Sequence, residues 1–305
     1  MHFALPTRGN HRSSPFLTNS VSRSYIPRGL HRPLYALLIF LVLAFFLLRS
    51  LSGPGRPADA PQTVMVLVLN RTDHSNEYID KVVKNRQEYA NAHGYGLFIK
   101  STTDYPPGGS AGSGWSRIPA IRHAMSTYKH SEYFWYLDQD ALIMDPTPSL
   151  EEHILAPLNS LMRRDVPIVP PQSVIKTYKH VPAERIQFIL TQDKLGLTPG
   201  SMILKSGPWA NYFLDAWYDP MFRFYNFARA ETHALEHIVQ WHPTILTKLA
   251  LIPQKTFNSY SPLSENAENI YSDGDFIIRF PDCYKSEKNC ENEFNRYWDK
   301  RRTVS

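Results

Sequence analysis

The chain has 305 residues, 43% of them apolar, which is enough to bury one substantial core and too many for a chain dominated by disorder. Its net charge of +5 sits at one end: residues 1–58 hold seven arginines and no aspartate or glutamate. The remainder is close to neutral, which argues against a nucleic-acid partner.

Residues 1–32, rich in Arg, Ser and Pro, cannot form a core and read as a disordered cytoplasmic tail. Leu34 to Leu48 is a run of fifteen uncharged, mostly aliphatic residues. It reaches about eighteen if Arg49 snorkels to the interface. This predicts a transmembrane anchor over 33–51. A cleaved signal peptide is the rival, but the basic segment before the run is too long for one. Arg8, Arg12, Arg23, Arg28 and Arg32 precede the span and only Arg49 and Arg56 closely follow it. That bias keeps the N-terminus cytoplasmic and places the rest in the lumen, as in a single-pass type II membrane protein. A short span suits the Golgi or the endoplasmic reticulum. A Gly/Pro/Ala stem over 52–62 follows.

"TVMVLVLN" from Thr63 is a continuous apolar strand of the kind buried on both faces of a parallel sheet. "NRT" at Asn70 is an N-glycosylation sequon, open to lumenal glycosylation if exposed. Tyr78, Val82 and Tyr89 recur at helical spacing, and Gly94 supplies a helix C-cap. "LFIK" is the next strand. Strand, helix, strand in that order predicts a Rossmann-like α/β domain over 63–305. The Gly/Pro/Ser-rich loop "DYPPGGSAGSG" suits a flap over a site and equally a tolerated surface insertion. A helix is predicted from near Ser116.

"EYFWYL" is a further buried strand, and it delivers Asp138 and Asp140 at its carboxyl end, where open α/β sheets bind ligands. On extended backbone, residues two apart point the same way, so both carboxylates would face one point while Gln139 turns aside. Paired hard oxygens suit a divalent cation that bridges phosphates. Alone the pattern is weak, with roughly one Asp-x-Asp expected by chance in such a chain. Asp273-Gly274-Asp275 is a second copy, placed before a strand instead of after one. A solvated loop, or a cap at Asp140, is the plain structural alternative. Cys283 and Cys290 are the only cysteines; in a lumenal domain they are a candidate disulfide, two free buried thiols being the alternative.

Four ordered stretches resemble glycosyltransferase family 34: "WSRIPAIRHAMSTYKHSEYFWYLDQDALIMDP", "GLTPGSMILKSGPWANYFLDAWY", "ALIPQKTFNSYS" and "GDFIIRFPDC". The family includes fungal α-galactosyltransferases, plant xyloglucan xylosyltransferases and the α-1,6-mannosyltransferase subunits of the mannan polymerase complex. The resemblance implies a GT-A fold, a nucleotide-sugar donor, a manganese ion, a glycan acceptor, and retention of anomeric configuration. It makes a Golgi α-1,6-mannosyltransferase using GDP-mannose, working in a hetero-oligomeric complex with other glycosyltransferase subunits, the leading expectation. A weakly catalytic scaffold subunit and a galactosyl- or xylosyltransferase are the alternatives. A metal-dependent phosphohydrolase would need further His or Asp ligands that are not apparent.

By the same resemblance, Asp138 contacts the donor ribose or the metal, and Asp140 binds the metal. Gly200 and Ser201 form a turn that lets the sugar approach. Glu231 matches an acidic substrate-contact position, although Thr232 replaces the Gln that usually follows it. Asn258 orders a nearby loop. His233 and His237, four apart, could share a metal on one helix face, but no third ligand is placed, and a packing role is the simpler reading. Where the family's last motif carries a metal-binding His, this chain has Arg279. A guanidinium cannot ligate a metal, although its planar fork can hold a diphosphate. Either it supplements a two-carboxylate metal site, or it marks a copy that binds metal poorly.

Overall fold

The computed structural model describes residues 31–51, 57–106, 113–171, 173–225, 227–264, 268–281, 283–284 and 289–303. The tail up to residue 30, stem residues 52–56, and residues 107–112 of the expected flap lie outside them. The chain divides into two units, Met1–Gly55 and Arg56–Ser305. The first contains helix α1 (His31–Leu51). Its described side chains, Tyr35 to Leu47, are almost all exposed and apolar around the whole circumference. Among the described residues no helix is long and apolar enough to cross a membrane.

The second unit opens with β1 (Thr63–Leu69), buried along its whole length, then α2 (Asn76–His93) and β2 (Gly96–Ser101). Helix α2 starts where the Ser75 hydroxyl accepts the Tyr78 amide. It stops at Gly94, whose left-handed φ of 65° lets its own N–H reach back to Ala90 and Asn91, a conformation costly for any residue with a Cβ. Next come α3 (Arg117–Thr127), β3 (Tyr133–Leu137), β4 (Ala141–Ile143) and a short helix α4 (Leu158–Leu161). Strands β5 (Phe188–Asp193) and β6 (Gly196–Lys205) form a hairpin. Helices α5 (Pro208–Trp217), α6 (Pro220–Phe224), α7 (Ala230–Trp241) and α8 (Pro243–Leu246) lead to β7 (Leu249–Leu251). The unit ends with β8 (Ser259–Tyr260), β9 (Ile277–Arg279) and α9 (Cys290–Trp298).

The main sheet runs β2-β1-β3-β6-β5-β7. Strands β2, β1 and β3 are parallel as the strand–helix–strand pattern predicts, but β6 is antiparallel to both β3 and β5, so the sheet is mixed. Alternation along the strands serves both faces. Phe134 and Tyr136 join the core under α3, α5 and α7, while Trp135 and Leu137 join that of the opposite face with Tyr89 and Phe276. A smaller sheet, β4-β9-β8, takes up the chain after only three intervening residues, 138–140. The Asp138–Asp140 segment is therefore the junction between two sheets. Cys283 and Cys290 are joined in a disulfide beside α9.

Candidate active site

The backbone does not stay extended through Asp140, as simple alternation would require. Strand β3 ends at Leu137, and residues 138–140 turn the chain into β4. The turn is clamped by groups far away in sequence. The Asp138 amide donates to the Gly200 carbonyl at 2.8 Å, continuing the β3–β6 ladder. Arg86, buried in α2, donates to the carbonyls of Asp138 (2.9 Å) and Ala141 (2.6 Å). The Tyr78 hydroxyl donates to the Gln139 carbonyl at 3.0 Å, and the Phe280 amide to the Asp140 carbonyl at 2.8 Å. Gln139 does turn aside, its Oε1 accepting the Asn70 amide at 2.7 Å. The carboxylates still meet, but they do so because Arg279 lies between them.

Arg279 stands opposite Ala141 in the β4–β9 pairing. Its Nη2 donates to Asp138 Oδ2 at 2.6 Å and its Nε to Asp140 Oδ1 at 3.3 Å. The flat guanidinium lies over Gly200, where a Cβ would fall among its atoms. Gly200 and Ser201 lie within β6 and not in the turn that the resemblance implies, because the ladder with β3 runs through them, and the group that closely approaches Gly200 is Arg279. Ser201 turns the other way: it is fully buried, and its hydroxyl accepts from the Trp135 indole at 3.1 Å.

Asp138 Oδ1 accepts from the Tyr136 hydroxyl at 2.5 Å and faces Arg117 Nη2 at 3.5 Å. The same Arg117 nitrogen is 3.3 Å from Glu231 Oε1, so Glu231, from α7, joins the cluster through an arginine. Burial pushes the Asp140 carboxyl up to about 6, with Arg279 opposing the rise and Asp138 adding to it. Burial also raises Glu231, against the pull of Arg117. Burial by itself would lower Arg279, but Asp140 and Asp138 outweigh it and keep the guanidinium charged.

The residues present do not fit the manganese ion that the resemblance implies. Asp138 already has one oxygen on Tyr136 and the other on Arg279, while Asp140 shares that same guanidinium. A divalent ion about 4 Å from a fixed guanidinium would be repelled by about 8 kcal/mol at an effective dielectric near 20. Among the described residues no group of three or more His, Cys, Asp and Glu could hold a metal. His233 and His237 do not pair: His233 Nε2 accepts from Arg229 Nε at 2.6 Å, and His237 packs on Phe222 and Trp241.

Other candidates take structural places. Asn258 is fully buried, its Nδ2 donating to Thr191 (2.8 Å) and Thr198 (2.9 Å) beside the β5–β6 irregularity. Asp275 accepts from Ser259 and the Ser272 amide, so the second Asp-x-Asp shapes a turn. Asn70 accepts from the Thr72 amide and hydroxyl in a local turn. Three contributors escaped the sequence reading: Arg86, Arg117 and Tyr136. Arg86 left a signal, since it continues the apolar series Tyr78, Val82, Tyr89, and a charged residue at a core position calls for a buried partner.

A match to the galactosyl transferase GMA12/MNN10 family runs over residues 59–291. An uncharacterized alpha-1,2-galactosyltransferase of Schizosaccharomyces pombe is 33% identical over 255 residues, 81% of this chain and 77% of that protein. The probable alpha-1,6-mannosyltransferase MNN10 of Saccharomyces cerevisiae is 30% identical over 227 residues, 70% of this chain and 58% of that protein. The chain thus spans less than two thirds of that second relative. A solved glycosyltransferase involved in the glycosylation of the major capsid of PBCV-1 superposes with a TM-score of 0.50 at 11% identity, over 78% of this chain and 100% of that one. That likeness concerns the fold alone, a mixed α/β architecture around a central sheet of the GT-A kind. Matched along most of its length, with an Asp-x-Asp turn at the carboxyl end of a central strand, the chain belongs to the galactosyl transferase GMA12/MNN10 family and is a hexosyltransferase.

Proposed function

We propose that this chain moves a hexose from a nucleoside-diphosphate sugar to a glycan acceptor with retention, using mannose from GDP-mannose, as an α-1,6-mannosyltransferase subunit of a Golgi mannan polymerase. The observation that carries the reading is the clamped Asp138–Asp140 turn at the end of β3, with Arg279 and Arg117 beside it. Carboxylates at that place orient a ribose or a sugar by accepting its hydroxyls, and guanidiniums hold phosphate. In the transfer, the bond from the anomeric carbon to the diphosphate oxygen breaks, and its electron pair leaves with the phosphate. The acceptor hydroxyl oxygen bonds to the same face of that carbon, and its proton passes to the departing phosphate. No separate catalytic base is needed.

The mannose assignment draws on relatives named as probable alpha-1,6-mannosyltransferases. Others named as alpha-1,2-galactosyltransferases support UDP-galactose as the second reading. The apolar run from Leu34 to Leu48, exposed where α1 is described, supports a membrane anchor, and the arginines that precede it support a lumenal remainder. The full-length protein in detergent, incubated with GDP-mannose, UDP-galactose and UDP-xylose and a mannoside acceptor, tests these readings. Transfer from GDP-mannose with an α-linked product by NMR is expected. Transfer from UDP-galactose alone selects the second reading, and transfer from no donor overturns both.

A further inference from the structure

We propose that the donor site of this chain holds its diphosphate without a divalent cation, the Arg279 guanidinium supplying the positive charge. The inference rests on the reading of the chain as a nucleotide-sugar enzyme.

Asp138 and Asp140 share the Arg279 guanidinium, Arg117 lies between Asp138 and Glu231, and the buried Arg86 adds a third positive charge on the carbonyls of the turn, so the cluster has cations of its own. An incoming divalent ion would have to expel Arg279 from both aspartates. Arg279 is not a loose surface side chain: its backbone is paired with Ala141 on one side and Tyr260 on the other, and its carbonyl accepts the Ser261 amide at 2.8 Å. Its guanidinium is braced on Gly200, where any side chain would collide with it.

The group also has capacity to spare. Nε and Nη2 serve Asp140 and Asp138, whereas Nη1 has no hydrogen-bond partner among the described residues. A planar fork tied to carboxylates along one edge keeps N–H groups on another for phosphate oxygens, which a lysine ammonium could not do with the same geometry. The strand position that carries Arg279 thereby places a permanent cation at the carboxylates, where it needs no capture from solution.

Calorimetry on the full-length protein in detergent micelles, with GDP and UDP as probes, tests this in EDTA and in excess manganese. Wild type should bind its preferred diphosphate equally in both, to within about twofold, and manganese alone should give no binding heat. Arg279→His should lose about tenfold or more in EDTA and recover with manganese, because imidazole can ligate the ion. Gly200→Ala, which displaces the guanidinium without removing it, should weaken binding in both conditions. Wild-type binding that requires manganese overturns the inference, as does unchanged binding by Arg279→His in EDTA. The wild-type comparison stands even if a variant fails to fold. Binding of neither diphosphate under either condition instead sinks the donor-site reading, and the inference with it.

Discussion

The guanidinium of Arg279 rests face-on against the α-carbon of Gly200, and the space it fills is the space a Cβ would need. The two residues lie on strands of different sheets, β9 and β6, so their contact locks the sheets together beside the Asp138–Asp140 turn. Gly200→Ala should push the guanidinium off both carboxylates while leaving the Asp138 amide bond to the Gly200 carbonyl in place. Donor turnover should fall by tenfold or more, and stability by about 1–3 kcal/mol as the carboxylates lose their partner. Initial rates and chemical denaturation of the variant measure both. Wild-type activity in Gly200→Ala would show that Arg279 has no part in the donor site.

Asp138 and Asp140 should not respond alike to neutralisation. Asp138 takes the short bond from Arg279, the Tyr136 hydroxyl and the approach of Arg117, whereas Asp140 has the longer Arg279 contact. Asp138→Asn leaves two buried guanidiniums short of a counter-charge and should cost about 3–5 kcal/mol. Asp140→Asn should cost less, about 1–3 kcal/mol, while still abolishing transfer. Nothing in the sequence shows how many cations converge on Asp138, since Arg117 and Arg279 reach it from distant elements. Urea unfolding of both variants settles the order, and a larger loss for Asp140→Asn would contradict it.

Local elements were legible because local chemistry determines them. β1 reads as buried on both faces from its unbroken apolar run, and Gly94 reads as a C-cap from its place after α2. Long-range relations were not. The antiparallel insertion of β6 depends on which edge of β3 a strand 60 residues later finds, and no periodicity records that. The carboxylate pair was found at the right strand end, but the reason for their convergence was not. It comes from Arg86 holding the turn and Arg279 arriving from a second sheet, and each of these contacts crosses more than 50 residues of sequence.

The disulfide between Cys283 and Cys290 closes a short loop ahead of α9, whose Phe294 packs on Tyr78 and Phe280. Its entropic contribution is about 2–3 kcal/mol for a loop of this size. Reduction, or Cys283→Ser with Cys290→Ser, should lower stability by that amount and increase amide exchange in α9 before the central strands. Hydrogen-exchange mass spectrometry reads both regions in one experiment. Equal protection of α9 with and without the bridge would show that packing alone holds it.

The C-terminal segment is held by a pH-sensitive contact. Arg302 donates to Asp145 Oδ2 at 2.5 Å and its amide to the Met144 carbonyl at 2.8 Å, while the Thr147 amide donates to Asp145 Oδ1 at 3.0 Å. Burial pushes the Asp145 carboxyl up, but the Thr147 hydrogen bonds and the Arg302 guanidinium outweigh it and leave the group below the ordinary aspartate range. A carboxyl lowered by folding binds its proton more readily in the unfolded chain. Its contribution to stability is therefore complete above the ordinary value of about 4 and drains away as pH falls through the lower folded one. Asp145→Asn should be less stable than wild type at neutral pH, and the difference should shrink steadily below about pH 4. Arg302 is largely exposed at its side chain, so the guanidinium's part of the gap should also narrow in high salt, while the Thr147 part persists. Denaturation of both proteins across pH at low and high salt separates these two parts. A gap between wild type and Asp145→Asn that stays constant down to pH 2 would mean that the carboxylate charge contributes nothing there.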